Sequence, residues 1–344
     1  MEATSAQADG KPESRAAALG PLLMAADAYF ATPLATALRS IAESNSRAWP
    51  IEVHILHERM DEPTRKKVEA SMPEGSVAFR WHPFDISTFA RDYSTLTHIS
   101  KMTFARLLLP RYLPESCDRA LYLDGDILVL GDLRPLWETG LDGAVVGAVR
   151  DRLNGGAMDD LDKSCGLRVE RYFNAGVLLI DVARWRDERV SERALEYLDR
   201  FPNTRYADQD ALNAICDRCW KELDPRWNYQ CVPLQPIAQA ADADAFSIVH
   251  FVASVKPWQV GNLSPNVAFY NRFRSRTRFT RSLPEYIRHI WKRSGYKLLE
   301  RSPLINQVWY AIKASVGGGR SSLSPAAVRR QAKRKRARHP MRQS

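Results

Sequence analysis

Nowhere in the 344-residue chain is there a run of the roughly 18 uncharged apolar residues that a membrane-crossing helix needs. The most apolar stretch near the N-terminus, Leu19–Ala26, is short. No basic region stands just before it, and it runs straight into Asp27, so it argues against a secretory leader. Cysteine is scarce and odd in number: Cys117, Cys165, Cys216, Cys219 and Cys231. Without a leader, that count predicts reduced thiols in the cytosol. Cys216 and Cys219 have CxxC spacing, but a structural zinc site would need a second pair and there is none. The pair also ends a helical stretch, where a redox motif would open one, so it reads as structural. Internal repeats are absent.

Acidic residues are missing from the C-terminus. Arg301–Ser344 carries 11 Lys/Arg and no Asp or Glu, leaving 39 basic against 40 acidic side chains in residues 1–300. The net charge of +10 therefore belongs to the tail. A near-neutral body without a recognition motif argues against a specific nucleic-acid partner. What is present is ordinary: 45% hydrophobic and 26% charged residues describe a globular chain with a real core. The length suits one large α/β domain with an appendage. The expected organisation is a disordered segment over residues 1–18 and a catalytic domain over 19–262. A helical, basic-aromatic region over 263–315 and a basic disordered tail over 316–344 follow.

Leu22–Ala26 reads as a buried strand ending at Asp27, and Thr32-Pro33 as the start of a helix carrying Leu34, Leu38 and Ile41. Ile51, Val53 and Ile55 alternate as a strand. Asp61 caps a helix to Met72, and Val77, Phe79 and Trp81 form a third strand. This order implies a parallel sheet with helices on both faces. Ser100 is expected to cap a helix through Tyr112. Strands follow at Arg119–Leu123, Ile127–Leu130, Ala144–Val149, Phe173–Asp181 and Ser247–Val252, with a helix over Val182–Arg200. Residues 150–172 read as a mobile loop.

Four segments carry chemistry. Asp124-Gly125-Asp126 sits between two apolar runs, which places paired carboxylates at the end of a central strand, where open α/β sheets bind ligands. Glycine permits a bend between them, and carboxylate oxygens suit Mg²⁺ or Mn²⁺. Buried carboxylates also need a cation or donors. Asn174 and Ala175 open a strand with small groups that let a sugar approach, although taken alone a tight turn into the strand is the plainer reading. Asp208-Gln209-Asp210 opens a helix, where acids are common caps. His250 at a strand end suits a third metal ligand, and Lys256 six residues on suits a phosphate; a core histidine and a surface lysine are the plainer reading of each alone.

Together, in this order, the segments resemble glycosyltransferase family 8 over roughly residues 20–260. The resemblance implies an α/β GT-A fold: a Rossmann-like mixed, mostly parallel sheet flanked by helices, with a small helical C-terminal extension. It implies a retaining hexosyltransferase using UDP-galactose or UDP-glucose and Mn²⁺ or Mg²⁺. The acceptor would be a glycan or glycolipid of lipopolysaccharide or another cell-surface glycan. Position by position, it implies Asp124, Asp126 and His250 as metal ligands, with Gly125 between the acids, and Lys256 on the diphosphate. Ala25, Ala26 and Asp27 would wall the uridine, with Phe30 stacked on the uracil. Arg106, Asn174 and Ala175 would contact the donor sugar, Asp208 and Gln209 would lie on its catalytic face, and Asp151 near the acceptor.

Two positions depart from the pattern: Ala28-Tyr29 stands where the family shows Asp-Asn, and Ala253 where glycine is usual. Glutamine at 209 is a poor nucleophile, which favours same-face attack over two displacements. Basic and aromatic residues alternate over 283–314 and suit docking on an anionic membrane surface, hence a cytoplasmic protein peripheral on the inner face of the cytoplasmic membrane. The alternative within the family is a glycogenin-like, self-glucosylating transferase.

Overall fold

The computed structural model describes residues 19–86, 93, 100–152, 161, 163, 165–232, 237, 246–252, 254–262, 264–284, 287, 288 and 291. The segment 1–18, much of the loop 150–172, Ala253, most of 283–314 and the tail 316–344 lie outside the described residues. Residues to Ile287 form one compact unit and those from Arg288 another.

The N-terminal half alternates as its apolar periodicity predicts: β1 (Leu22–Asp27), α1 (Ala31–Ser44), β2 (Ile51–Glu58), α2 (Glu62–Glu69) and β3 (Val77–Pro83). β1, β2 and β3 pair in parallel, with Leu22 opposite Val53 and Ile51 opposite Val77. Asp61 caps α2 by accepting from the Thr64 N–H at 3.0 Å. The entry to α1 differs from expectation, because Thr32 is already inside the helix. Asp27 instead accepts from the Phe30 N–H at 3.0 Å and closes a 3₁₀ turn over Ala28–Phe30.

The second half adds β4 (Arg119–Leu123), β5 (Ile127–Val129), α3 (Arg134–Trp137), β6 (Val146–Arg150) and β7 (Phe173–Asp181). Then come α4 (Val182–Asp187), α5 (Val190–Arg200), α6 (Asp208–Ile215), β8 (Trp220–Glu222), β9 (Tyr229–Gln230), β10 (Ile248–His250) and α7 (Val267–Arg274). The main sheet runs β3-β2-β1-β4-β7-β6-β8, and a small sheet runs β5-β10-β9. β7 is antiparallel to both β4 and β6, so the sheet is mixed rather than wholly parallel. Its residues Phe173–Ile180 are all buried, because cores pack on both of its faces.

Three helical stretches depart from the sequence reading. Lys101–Leu107 and Leu109–Tyr112 are 3₁₀ turns, not one α-helix. Pro110 lacks an N–H and disfavours helical geometry at Leu109, while Ser100 does cap the first turn through the Met102 N–H. The expected helix over 182–200 breaks at Arg189, whose φ is 52°. The break lets Ser191 Oγ accept from Trp185 Nε1 and donate to Leu107 O, both buried. The last expected strand shortens to Ile248–His250 and belongs to the small sheet. α7 packs on α1 within the first unit. Among the described residues no helix is long and apolar enough to cross a membrane.

α6 starts at the acids read as caps, but its N-cap is Ala207 with no side-chain cap, and Asp210 within the first turn reaches back to the segment before the helix. The buried Asp210 carboxylate accepts from Tyr172 OH at 2.6 Å and from the Tyr206 N–H at 2.8 Å. Burial pushes this carboxyl up to about 6, against those hydrogen bonds. An unfolded aspartate titrates near ~3.9, so the folded chain keeps a proton that the unfolded chain has lost. The group's contribution to stability is full below that value and is lost as pH rises through about 6. Asp210→Asn removes the titration. Its stability relative to wild type should rise between pH ~4 and ~7, by on the order of 3 kcal/mol. Thermal melts across that range showing a constant difference would refute the assignment.

Candidate active site

The C-terminal ends of β1 and β4, the start of β7 and the end of β10 meet at one edge of the sheet. There they wall a cleft of about 540 Å³. Its lining includes Ala25, Ala26, Asp27, Phe30, Arg106, Asp124, Gly125, Asp126, Asp151, Asn174, Gln209, His250 and Lys256. Two expected residues stand behind the wall. Asp208 is fully buried beneath Arg106, and Ala175 presents its backbone to Arg106 and Gln209.

Asp124, Asp126 and His250 converge so that one ligand atom from each lies within 4.8 Å of the others. His250 Nε2 is 3.2 Å from Asp126 Oδ1 and 3.7 Å from Asp124 Oδ2. Its other nitrogen, Nδ1, is 3.0 Å from Asn228 Oδ1. An amide oxygen only accepts, so Nδ1 carries the proton and Nε2 turns its lone pair toward the carboxylates. This arrangement fits a metal ligand held by an outer partner. Gly176 makes room for it: a Cβ there would fall 2.3 Å from His250 Cε1 and 2.9 Å from Asp124 Oδ2. Two carboxylates and one imidazole suit a divalent ion such as Mn²⁺ or Mg²⁺.

The acids are balanced by cations. Lys256 Nζ donates to Asp126 Oδ2 at 2.7 Å and to Phe251 O at 2.5 Å. Burial alone would push the Asp126 carboxyl up, but the Lys256 ammonium beside it outweighs that and holds the group well below the carboxylate range. Arg106 lies 2.5 Å from Asp208 Oδ2 and 3.4 Å from Asp124 Oδ1, and it donates to Thr103 O, Thr103 Oγ1 and Ala175 O. Burial opposes its charge, yet Asp124 and Asp208 hold the guanidinium firmly protonated. Asp208 itself is pushed up to about 6 by burial, with Arg106 and Thr103 pulling the other way. Tyr122 OH donates to Asp124 Oδ1 at 2.6 Å and fixes the remaining acid.

Beside the Asp124, Asp126 and His250 corner runs one hydrogen-bonded strip. Gln209 Oε1 accepts from the Ala175 N–H at 2.9 Å, and its Nε2 lies 3.2 Å from both Asp151 Oδ2 and Tyr172 OH. Asn174 donates to Asp151 at 2.9 Å and accepts from Gly176 N–H and from Asn228 Nδ2. Asn228, 1% exposed, therefore touches both His250 and Asn174.

The glycine of Asp-Gly-Asp has a reason other than a bend. Gly125 has no positive φ, and a Cβ on it would come within 3.0 Å of the Phe30 ring. Phe30 covers that backbone and meets Trp258 edge-on, with centroids 5.5 Å apart. Asp27 is held by Ser100 Oγ at 2.8 Å, while Tyr29 in the departing Ala28-Tyr29 pair is 96% exposed. Sequence reading missed Asn228, Gly176, Tyr122, Ser100 and Thr103. Only Gly176 carried a signal, as a glycine inside an apolar strand.

A Rossmann-like mixed sheet with a two-aspartate, one-histidine corner beside a lysine at its ligand-binding edge defines a GT-A-like glycosyltransferase. Residues 21–260 match "Glycosyl transferase family 8", and the chain belongs to that family. It is 25% identical over 272 residues to general stress protein A of Bacillus subtilis, covering 75% of this chain and 94% of that one. It is 26% identical over 185 residues to the lipopolysaccharide 1,2-glucosyltransferase of Escherichia coli, covering 50% of this chain and 53% of that one. The galactosyltransferase LgtC, solved with donor and acceptor sugar analogues, superposes with a TM-score of 0.64 at 26% identity, over 78% of this chain and 99% of that one.

If Asn228 fixes the ligating tautomer, Asn228→Leu should weaken Mn²⁺ binding about 10–100-fold, measured by titration of the free-ion EPR signal. An unchanged affinity would leave Asn228 as packing only.

Proposed function

We propose that the chain is a retaining, metal-dependent hexosyltransferase. It moves galactose or glucose from UDP-galactose or UDP-glucose to a hydroxyl of a glycan or glycolipid acceptor, in synthesis of lipopolysaccharide or another cell-surface glycan. The observation that carries this reading is the convergence of Asp124, Asp126 and His250 beside Lys256 in a single cleft. The galactosyl- and glucosyltransferase relatives support the hexose.

Asp124, Asp126 and His250 would hold a divalent ion, which would supply Lewis-acid stabilisation for the departing diphosphate. The imidazole in the set favours Mn²⁺ over Mg²⁺. Ala25, Ala26 and Asp27 wall the nucleoside, with the Phe30 ring as the surface for the uracil. Lys256 exchanges Asp126 for a phosphate oxygen and adds a fixed cation to the leaving group. Arg106 reaches the sugar from the cleft wall while it keeps Asp124 and the Ala175 carbonyl in place. Asn174 and Ala175 shape the donor-sugar side, and Asp151 faces the acceptor.

Retention follows from same-face attack. The bond from the anomeric carbon to the phosphate oxygen breaks, the acceptor oxygen bonds to that carbon from the same side, and its proton passes to a phosphate oxygen of UDP. Gln209, fixed by three hydrogen bonds, offers an amide dipole to the positive sugar. Asp208 beneath Arg106 is out of reach as a nucleophile. A trapped glycosyl adduct on Asp208 or Gln209 would overturn this route.

UDP release from a panel of nucleotide-sugars tests the donor and the metal site together. Turnover of UDP-galactose or UDP-glucose should require Mn²⁺ or Mg²⁺ and fall at least a hundredfold in Asp126→Ala, since a ligand and the Lys256 partner are lost together. Metal-independent turnover would sink the reading. The protein is further proposed to be cytoplasmic and to dock on the inner face of the membrane through its basic C-terminal region. Removing residues 316–344 should weaken binding to anionic vesicles tenfold or more; undiminished flotation with such vesicles removes that segment from the case.

A further inference from the structure

The cations of the cleft differ in what they face. Arg106 and Lys256 are each matched to carboxylates. Arg152 also lines the cleft and, among the described residues, makes no ion pair. Its immediate neighbour Asp151 is engaged instead by the Asn174 and Gln209 amides. Asp27 is taken by Ser100 and the Phe30 N–H, and Asp124 by Tyr122 and Arg106. Asp27 and Asp151 thus rest on neutral donors, and Arg152 is held by neutral acceptors rather than by either of them.

Arg152 is exposed but pinned in place. Its backbone N–H donates to Gln230 Oε1 at 3.1 Å, and its Nη1 donates to Gln230 O at 2.9 Å. Gln230 Nε2 completes the clamp by donating to Arg150 O at 2.8 Å. Gln230 is buried, and it pairs in register with His250 on the neighbouring strand. Backbone and guanidinium are thus both pinned to the strand beside the metal corner. Nε and Nη2 of Arg152 remain as parallel donors, the fork that binds a carboxylate or phosphate through two hydrogen bonds. A second arginine, Arg205, reaches the same cleft from the segment before α6, stacked over Tyr206.

We infer that Arg152 is a specificity residue for an anionic acceptor: the sugar that receives the hexose carries a phosphate or carboxylate, which Arg152 binds beside Asp151. The inference rests on the transferase reading above, in which the metal corner and Lys256 already answer the donor diphosphate. The anion left for Arg152 is then on the acceptor.

The test uses the full-length protein with UDP and Mn²⁺. Methyl β-galactoside, its 6-phosphate and the corresponding methyl uronide are titrated by ligand-observed NMR, in wild type, Arg152→Met and Arg152→Lys. At least one charged sugar should bind wild type about tenfold or more tighter than the neutral one, the scale of a charge-assisted hydrogen-bond pair. Phosphate and uronide, compared directly, separate the two anions. Arg152→Met should bring charged and neutral sugars within about twofold, and Arg152→Lys should keep part of the preference as a point charge. Equal binding of charged and neutral sugars by wild type overturns the inference, as does a preference that survives Arg152→Met. Inorganic phosphate competing as well as the sugar phosphate would reduce the site to a bare anion contact and also overturn it. So would a raised KM for the UDP-sugar in Arg152→Met with the acceptor preference intact, since Arg152 would then serve the donor. Failure of the transferase reading is separate: no UDP release from any nucleotide-sugar, whatever the binding shows.

Discussion

Asp124, Asp126 and Asp208 are drawn into one largely buried corner, and that corner holds together only because cations enter with them. Like charges out of water repel strongly, and burying any of them unpaired costs several kcal/mol. Arg106 stands between Asp124 and Asp208, Lys256 stands on Asp126, Tyr122 donates to the Asp124 oxygen that Arg106 approaches, and the His250 ring faces both acids of the pair. Those partners come from the 3₁₀ turn, the end of β10, the segment after it and β4. The charge balance of the corner thus dictates how distant parts of the chain must meet.

The same requirement explains the shape of the surrounding fold. β7 runs antiparallel beside β4, which brings its opening residues Asn174–Gly176 to the ligand edge together with Asp124. The paired 3₁₀ turns, tighter than an α-helix, let Arg106 bond its own Thr103 while spanning from Asp208 to Ala175. Ser191 ties that turn to α4 and α5 through Leu107 O.

Much of this was legible in the residues. Alternating apolar runs located the parallel strands, and flanking runs put Asp124 and Asp126 at a strand end. The order of the four segments brought His250 and Lys256 to the same place. What remained hidden were contacts whose residues look ordinary in a string. Asn228 sits between Trp227 and Tyr229 with no local pattern, and only the register of β9 beside β10 brings it to the histidine. Tyr122 reads as one more apolar residue of a buried strand. Gly125 reads as a turn former, whereas its lack of a side chain admits the Phe30 ring. Reversal of β7 was equally silent, since a strand buried on both faces shows the same continuous apolar run in either direction.

The small sheet has a consequence for the order in which the molecule comes into being. β5 follows directly after Asp126, but its antiparallel partner β10 is more than a hundred residues further along the chain. A nascent protein emerging from the ribosome therefore displays its aspartate pair long before the histidine exists, next to a strand edge with nothing to pair against. Closing so long a loop is entropically slow. The half-made centre already has Arg106 but waits for His250 and Lys256, and the pairing of β10 with β5 is the step that brings them to the acids.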